Sequence, residues 1–294
     1  MMSASAMMSA GDRPTVVFGV DALEPEPMAL AWAADEADRR GLPLRLLHAV
    51  PPVVHERRGS EEDRYHELLR ERGDAALAKA ADLARTRHPG LEIATVVTDG
   101  SAARVLGRES AHAELVVLGS RRMNRLEELL SAFSVTVPVS AQANCPVVVV
   151  RGPEHVTQDP PYVVVGVDGS ESSAAAVDVA FDFAARRRAA LRAVWVWQSQ
   201  LIAHVDERAA VQTLRRQLAE TTAGRAASFP DLHLTHEVIR GHPVEELAKT
   251  SEHALAVVVG RRGRGGFTGM RLGSVPHGLL HRAHSPVVTV PRPS

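Results

Sequence analysis

The chain has a single cysteine, Cys145, no excess of basic charge and no long apolar run. One cysteine excludes an intramolecular disulfide framework and a cysteine-based zinc site. With 34 basic against 35 acidic residues the formal net charge is −1, without the basic bias that binders of nucleic acid or anionic membranes usually carry. No apolar run reaches the roughly 18–20 residues that cross a bilayer. Hydrophobic residues at 45% and charged residues at 23% are ordinary globular usage, which excludes a disordered tail protein, a coiled-coil rod and a collagen-like repeat. The 294 residues suffice for about two domains, each able to bury roughly 68–70% of its unfolded surface.

Several catalytic signatures are missing as well. No lysine follows a glycine-rich loop in the order of a phosphate-binding Walker loop, and no Gly-x-Gly-x-x-Gly follows the first strand. His55-Glu56, His66-Glu67 and His236-Glu237 open like zinc-protease helices, but none has a second histidine three residues after the glutamate. There is no Gly-x-Ser-x-Gly elbow. The fourteen histidines are scattered; His277, His281 and His284 share spacing on the last helix without a further ligand to make a metal site. Cys145, before a proline at a strand entrance, reads as a small core residue. Trp195 and Trp197 alternate along one strand as core or interface residues. Residues 1–13, with Met1, Met2, Met7 and Met8, lack a basic region followed by an apolar core, and read as a disordered leader on a cytoplasmic protein.

What the chain does contain is the same domain twice. Val16-Val17-Phe18-Gly19-Val20-Asp21 recurs as Val163-Val164-Val165-Gly166-Val167-Asp168. Leu115-Val116-Val117-Leu118-Gly119 recurs as Ala256-Val257-Val258-Val259-Gly260, and Cys145-Pro146-Val147-Val148-Val149-Val150 as Ser285-Pro286-Val287-Val288-Thr289-Val290. The offsets of 147, 141 and 140 residues keep order and drift little. Repeats this long are tandem globular units, since solenoid repeats are far shorter. The boundaries read as a first domain over 14–151, a proline-rich linker over 152–161 and a second domain over 162–294.

Strands are predicted near 15–20, 43–50, 91–97, 114–119 and 146–151, then near 162–167, 190–197, 232–239, 255–260 and 286–290. Most of these runs are continuously apolar, which suits a parallel sheet covered on both faces. Between them lie helical patterns over 28–40, 61–87, 171–188 and 206–225. The first places Leu30, Ala33, Ala34 and Ala37 on one stripe and ends in Arg39, Arg40 and a capping Gly41. The alternation predicts two tandem Rossmann-like α/β domains, each a doubly wound five-stranded parallel sheet.

In such a sheet ligands bind outside the carboxyl ends of the strands. In the second repeat Asp168 ends the first strand, and Gly169-Ser170 can cap the next helix. The fourth strand runs into Gly260-Arg261-Arg262-Gly263-Arg264-Gly265-Gly266-Phe267-Thr268-Gly269, and Gly273-Ser274 opens a helix reaching about His284. Glycines let backbone amides approach an anion, and a helix N-terminus offers free amides and a favourable dipole. The pattern reads as a phosphate site, with the Ser274 hydroxyl a donor, Asp168 an acceptor for ribose hydroxyls, and Arg261, Arg262 and Arg264 available to offset charge. Each part alone has a plainer reading: a flexible turn, a cap at Ser274 or Asp168, solvated arginines. Their convergence on one predicted edge distinguishes the set.

The spacing Gly260-x2-Gly263-x9-Gly273-Ser274, with Val-Gly-Val-Asp-Gly-Ser at 165–170 and Ser-Pro-Val-Val-Thr-Val at 285–290, resembles the nucleotide-binding signature of universal stress proteins. The resemblance covers both repeats and implies a tandem-type member with strand order 3-2-1-4-5, repeats paired about a pseudo-twofold axis, and further association into a homodimer. It implies that ATP, with or without Mg²⁺, is the cofactor. Asp168 would then meet the ribose, Gly166 and Val196 would line the adenine slot, and Val259, Gly260, Gly263, Gly273, Ser274 and Val275 would hold ribose and phosphates. The first repeat keeps Gly19, Asp21 and Gly119 and aligns Ser134 with Ser274. However, Arg122 stands where the second glycine belongs and Phe133 where Gly273 stands, so close backbone approach is obstructed there.

Three functions fit. The first is a stress-response regulator in which ATP occupancy of the second, or of both, domains controls conformation or partner binding; it needs no catalytic residue. The second is a slow Mg²⁺-dependent ATPase or nucleotidyl-transfer enzyme, with Asp168 the available carboxylate. The third is an interaction scaffold that binds no nucleotide. None of the three involves nucleic acid or a membrane.

Overall fold

The computed structural model describes residues 13–23, 26–52, 60–120, 135–151, 155–198, 207–264 and 271–292. The predicted strands all form, with ends within two residues of the sequence reading: β1 (Thr15–Gly19), β2 (Leu44–Val50), β3 (Ile93–Asp99), β4 (Ala113–Ser120), β5 (Val147–Arg151), β6 (Tyr162–Gly166), β7 (Ala190–Trp197), β8 (Leu234–Arg240), β9 (Val257–Gly260) and β10 (Val287–Val290). The helices are α1 (Pro27–Arg40), α2 (Ser60–Arg87), α3 (Ala102–Glu109), α4 (Thr136–Gln142), α5 (Glu171–Arg186), α6 (Glu207–Ala226), α7 (Pro243–Thr250) and α8 (Ser274–Arg282). The chain divides into two compact units at Leu118/Gly119.

In the first unit the parallel strands lie in the order β3-β2-β1-β4. Val16, Val17 and Phe18 of β1, Leu44, Leu46 and Leu47 of β2, and Val116 and Val117 of β4 are all buried, because helices cover both faces. Helix α1 stops where the sequence expects: Gly41 adopts the left-handed conformation (φ 63°) and its amide returns to the Asp38 carbonyl. Helix α2 is pinned to α1 by Asp35, which takes two hydrogen bonds from Arg87 and a 2.7 Å contact from His88 Nε2. Burial alone would raise the Asp35 carboxyl, but the bonds from Arg87 and then His88 more than reverse it, so its pKa lies below 3.8. A lowered folded-state pKa stabilises the fold above the unfolded value, and that contribution is lost as pH falls through the folded value. Asp35→Asn should therefore cost about 0.5–1 kcal/mol at pH 7, with Arg87 half exposed, and the cost should shrink below about pH 4. Urea midpoints from pH 7 to pH 3 test this; parallel curves for the two proteins would refute it.

The second unit carries β8-β7-β6-β9-β10, the order 3-2-1-4-5 within its repeat, and β5 of the first repeat beyond β10. β5 and β10 pair antiparallel, with Val148 opposite Val288. These two valines are equivalent positions in the repeats, so the pairing has local twofold symmetry. Helices α5 and α7 cover opposite faces of the sheet: Gly260 packs on Ser172 of α5, and Gly166 under Leu247 of α7. The end of the proline-rich linker is tied to the α7–β9 connection, His155 Nε2 to the Ala254 carbonyl (2.8 Å) and the Gln158 amide to the His253 carbonyl (3.0 Å).

Candidate functional site

The site grows from the exit of β6. Gly169 turns the chain with a positive φ of 74°, a conformation that favours glycine. Any Cβ there would also run into the Arg264 guanidinium and Trp195. Ser170 then caps α5, its hydroxyl accepting from the Ser173 amide at 3.1 Å. The Asp168 carboxylate holds this turn: Oδ1 accepts the Ser170 amide (3.0 Å), and Oδ2 accepts the Arg264 amide from the loop after β9 (3.1 Å). Burial would raise the Asp168 pKa, yet hydrogen bonding from Ser170, the Arg264 amide and Ser173 outweighs it and holds the carboxyl below its ordinary 3.8. Asp168 is thus an ionised acceptor at neutral pH and a weak base.

The loop after β9 supplies the second wall. A Cβ on Gly260 would stand 2.5 Å from the Ser172 carbonyl oxygen, and one on Gly263 would stand 2.5 Å from Asp168 Oδ2. Gly260 is therefore required for the loop to close on the α5 backbone, while a side chain at Gly263 would displace the Asp168 carboxylate. The Arg262 amide donates to Ser172 Oγ (3.3 Å), a contact nothing in the sequence announces. Residues 265–270, with Gly265, Gly266, Phe267, Thr268 and Gly269, lie outside the described residues.

Helix α8 is the third wall. Its N-cap is Gly273 (φ −71°, ψ 163°), which makes Ser274 the first helical residue rather than the cap. The Gly273 amide donates to the Arg261 carbonyl at 2.9 Å, fixing the start of α8 to the exit of β9. The amides of Ser274 and Val275 have no acceptor among the described residues, and the third residue, Pro276, has no N–H to offer. Two amides and the positive end of the helix dipole are left for an anion.

The arginines part company. Arg261 does not serve as a phosphate counter-charge: its guanidinium donates to the Ala143 carbonyl at the C-terminus of α4 (2.8 Å), where the helix dipole favours a cation. Burial, with Arg262 and Arg271 adding, lowers its pKa. On the same seam Arg151 donates to the His281 carbonyl in the last turn of α8 (3.1 Å), so β5–β10 carries an arginine cap in each direction. Arg264 stays at the site, bonded to the Gly169 carbonyl (3.3 Å) with its guanidinium 5.5 Å from the Trp195 ring centre.

Gly166 and Val196 share the α7 face by register, while Trp195 takes the α5 face. The space beside Gly166 is filled by Leu247 and Val259, whose atoms lie 3.0 and 3.1 Å from where a Cβ would be. Val259 is buried and Val196 half-buried. The structure thus gathers Asp168, Gly260, Gly263, Gly273, Ser274 and Val275 at one edge, and gives Gly166 and Val259 a packing role beneath it.

The first repeat keeps the same foundation. Asp21 Oδ1 accepts the Leu23 amide (2.9 Å), and Gly19 is packed by Leu118 and Leu106, the counterparts of Val259 and Leu247. Gly119 lies in β4. Arg122, Phe133 and Ser134 fall outside the described residues. Among the described residues no cluster of three or more His, Cys, Asp or Glu could hold a metal ion, and no helix is long and apolar enough to cross a membrane.

The chain matches the model of the universal stress protein family twice, over residues 13–151 and 162–291. It is 34% identical over 287 residues to a universal stress protein of Mycobacterium tuberculosis, covering 93% of this chain and 95% of that one. A universal stress protein of Mycolicibacterium smegmatis is 35% identical over 285 residues, covering 94% and 96%. Among solved structures, a universal stress protein from Archaeoglobus fulgidus superposes with a TM-score of 0.72 at 16% identity, over 95% of this chain and 97% of that one.

Proposed function

The chain belongs to the universal stress protein family, and from that premise we propose that its second repeat binds an adenine nucleotide, ATP, whose occupancy changes conformation or partner affinity. One observation carries the reading: the amides of Ser274 and Val275, without an acceptor among the described residues, are held beside the β9 exit by the Gly273–Arg261 hydrogen bond, on the sheet edge where Asp168 closes on the Gly263–Arg264 backbone. Phosphate oxygens would take those amides and the Ser274 hydroxyl, and the ionised Asp168 would accept from ribose hydroxyls through its remaining lone pairs.

The same geometry favours binding over hydrolysis. Both Asp168 oxygens are engaged by backbone amides, and a carboxyl stabilised in its ionised form is a poor proton acceptor for an attacking water. Calorimetric titration of ATP with Mg²⁺ into nucleotide-free protein should give one site per chain. Absence of binding, confirmed by equilibrium dialysis at millimolar ATP, would overturn the reading. A second site would place nucleotide in the first repeat as well.

A further inference from the structure

The first repeat holds a cleft on the α1–α2 side of the β1 exit, with Asp21 on its rim. It measures about 730 Å³ and lies between the β1–α1 turn, the start of α1 and the middle of α2, within the size range of small-molecule sites. Its floor is apolar: Phe18, Leu30 and Ala80 are 3%, 5% and 6% exposed, and Ala76 continues it along α2. Leu23 and Leu83 stand at the rim 73% and 50% exposed, apolar surface left in water. Arg72 and Lys79 also line the cleft. They sit two helical turns apart on one side of α2, about 10 Å along its axis. Among the described residues neither has a carboxylate partner.

The second repeat shows that the shared fold does not require this lining. Pro89 and Leu91 correspond to Pro230 and Leu232, which sets Ala75, Ala76 and Lys79 against Arg216, Gln217 and Glu220. There the bare alanine surface becomes two long polar side chains. The cation becomes Glu220, which pairs with Arg216 at 4.0 Å. Across the cleft, Leu23 corresponds to Ser170, already spent on capping α5. The apolar floor and unpaired cations therefore belong to the first repeat, the one whose loop lacks the phosphate-binding glycines.

We propose that this cleft binds an amphiphilic organic acid, a molecule with an apolar aliphatic or aromatic body and one carboxylate. The body covers Phe18, Leu30, Ala76 and Ala80, and the carboxylate meets Lys79 and Arg72 on the α2 side, away from Asp21 and Glu26 on the opposite rim. A nucleotide fits this lining poorly, since the floor offers a base no hydrogen-bonding groups and two side-chain cations replace the cradle of amides that a triphosphate takes. The site lies outside the proposed ATP-binding edge, so either can fail without the other.

The test is titration of the full chain with decanoate, below its micelle concentration, and with decanol, which has the same chain length without the charge. Decanoate should saturate at one site per chain, with decanol about tenfold weaker. Lys79→Glu, which installs the residue type of the second repeat at this position, should weaken decanoate about tenfold and leave decanol unchanged. Ala76→Phe should occlude both. Lys79 is exposed and Ala76 half-buried, so neither change threatens folding, and ATP stoichiometry should be the same in both variants. The proposal is overturned if wild-type protein shows no saturable decanoate binding, if both variants bind decanoate as tightly as wild type, or if ATP displaces decanoate one for one.

Discussion

Gly273→Val is expected to abolish ATP binding, a loss of at least about a hundredfold, in a protein that still folds. The two halves of this expectation have separate physical grounds. The backbone at Gly273 has a φ of −71°, open to any residue. A Cβ there would meet the Arg261 carbonyl oxygen at 3.4 Å, Arg262 Cα at 3.5 Å and Pro276 Cδ at 3.6 Å, all ordinary contacts. A Cβ at this position finds room, and losing a tolerated N-cap residue costs about 1 kcal/mol. The same three neighbours show where the side chain would go: into the gap between the β9 exit and the first amides of α8, where the phosphates of the proposed nucleotide would sit. Gly260→Ala makes the control. Its Cβ would stand 2.5 Å from a backbone carbonyl oxygen in the first turn of α5, so helix or strand must shift, at a cost of roughly 1–3 kcal/mol or more. Gly260→Ala should lose stability and binding together; Gly273→Val should lose binding alone. Calorimetry with ATP beside thermal melts separates the two, and a Gly273→Val protein with wild-type affinity would mean that the anion does not sit at α8.

The pair also shows what the sequence can and cannot convey. The central strands are legible because a parallel sheet covered on two faces needs uninterrupted apolar runs, and Val163-Val164-Val165 or Val257-Val258-Val259 admit little else. Gly41 and Ser170 are legible as caps because their roles are local to three or four residues. Ser274 is not, since in Gly-Ser either residue can be the cap and the one-residue difference rests on backbone angles. Arg261 is illegible for a different reason. Its partner is a carbonyl 118 residues earlier, exposed only because α4 ends beside the β5–β10 seam. From the sequence alone an arginine inside a glycine-rich loop reads as solvated, or else as available to offset phosphate charge. The cleft beside Asp21 escapes notice for the converse reason: Ala75 and Ala76 look like ordinary helix filler until the structure shows them lining a cleft beside α1.

Glu36 is the other residue that the sequence hides, and its replacement should have the largest effect on stability. Helix α1 reads as an amphipathic stripe of Leu30, Ala33, Ala34 and Ala37, which leaves Glu36 as one charged residue among several. In the structure Glu36 is 0% exposed. It takes Arg39 Nη1 at 3.0 Å and Arg40 Nε at 2.5 Å, and Arg40, 7% exposed, continues to Glu114 on β4 at 3.1 Å. The spacing of three and four residues to two arginines is the one signal the sequence offered. Removing one partner of a buried pair leaves a charge desolvated and uncompensated, and costs about 3–5 kcal/mol. Glu36→Ala should therefore lower the melting temperature by roughly 10 °C or more. Removing both partners relieves that penalty; the ion pairs lost with them include Arg39 to Glu36, with Arg39 34% exposed, and Arg40 to Glu114, with Glu114 44% exposed, and pairs this open to solvent hold little energy. The double replacement Glu36→Leu with Arg40→Met should thus recover most of the loss, to within about 1–2 kcal/mol of the original protein. If Glu36→Ala melts with the wild type, the carboxylate is not stabilising Arg40. If the double variant melts no higher than the single one, the network holds α1 to β4 through its bonds rather than by avoiding an unpaired charge.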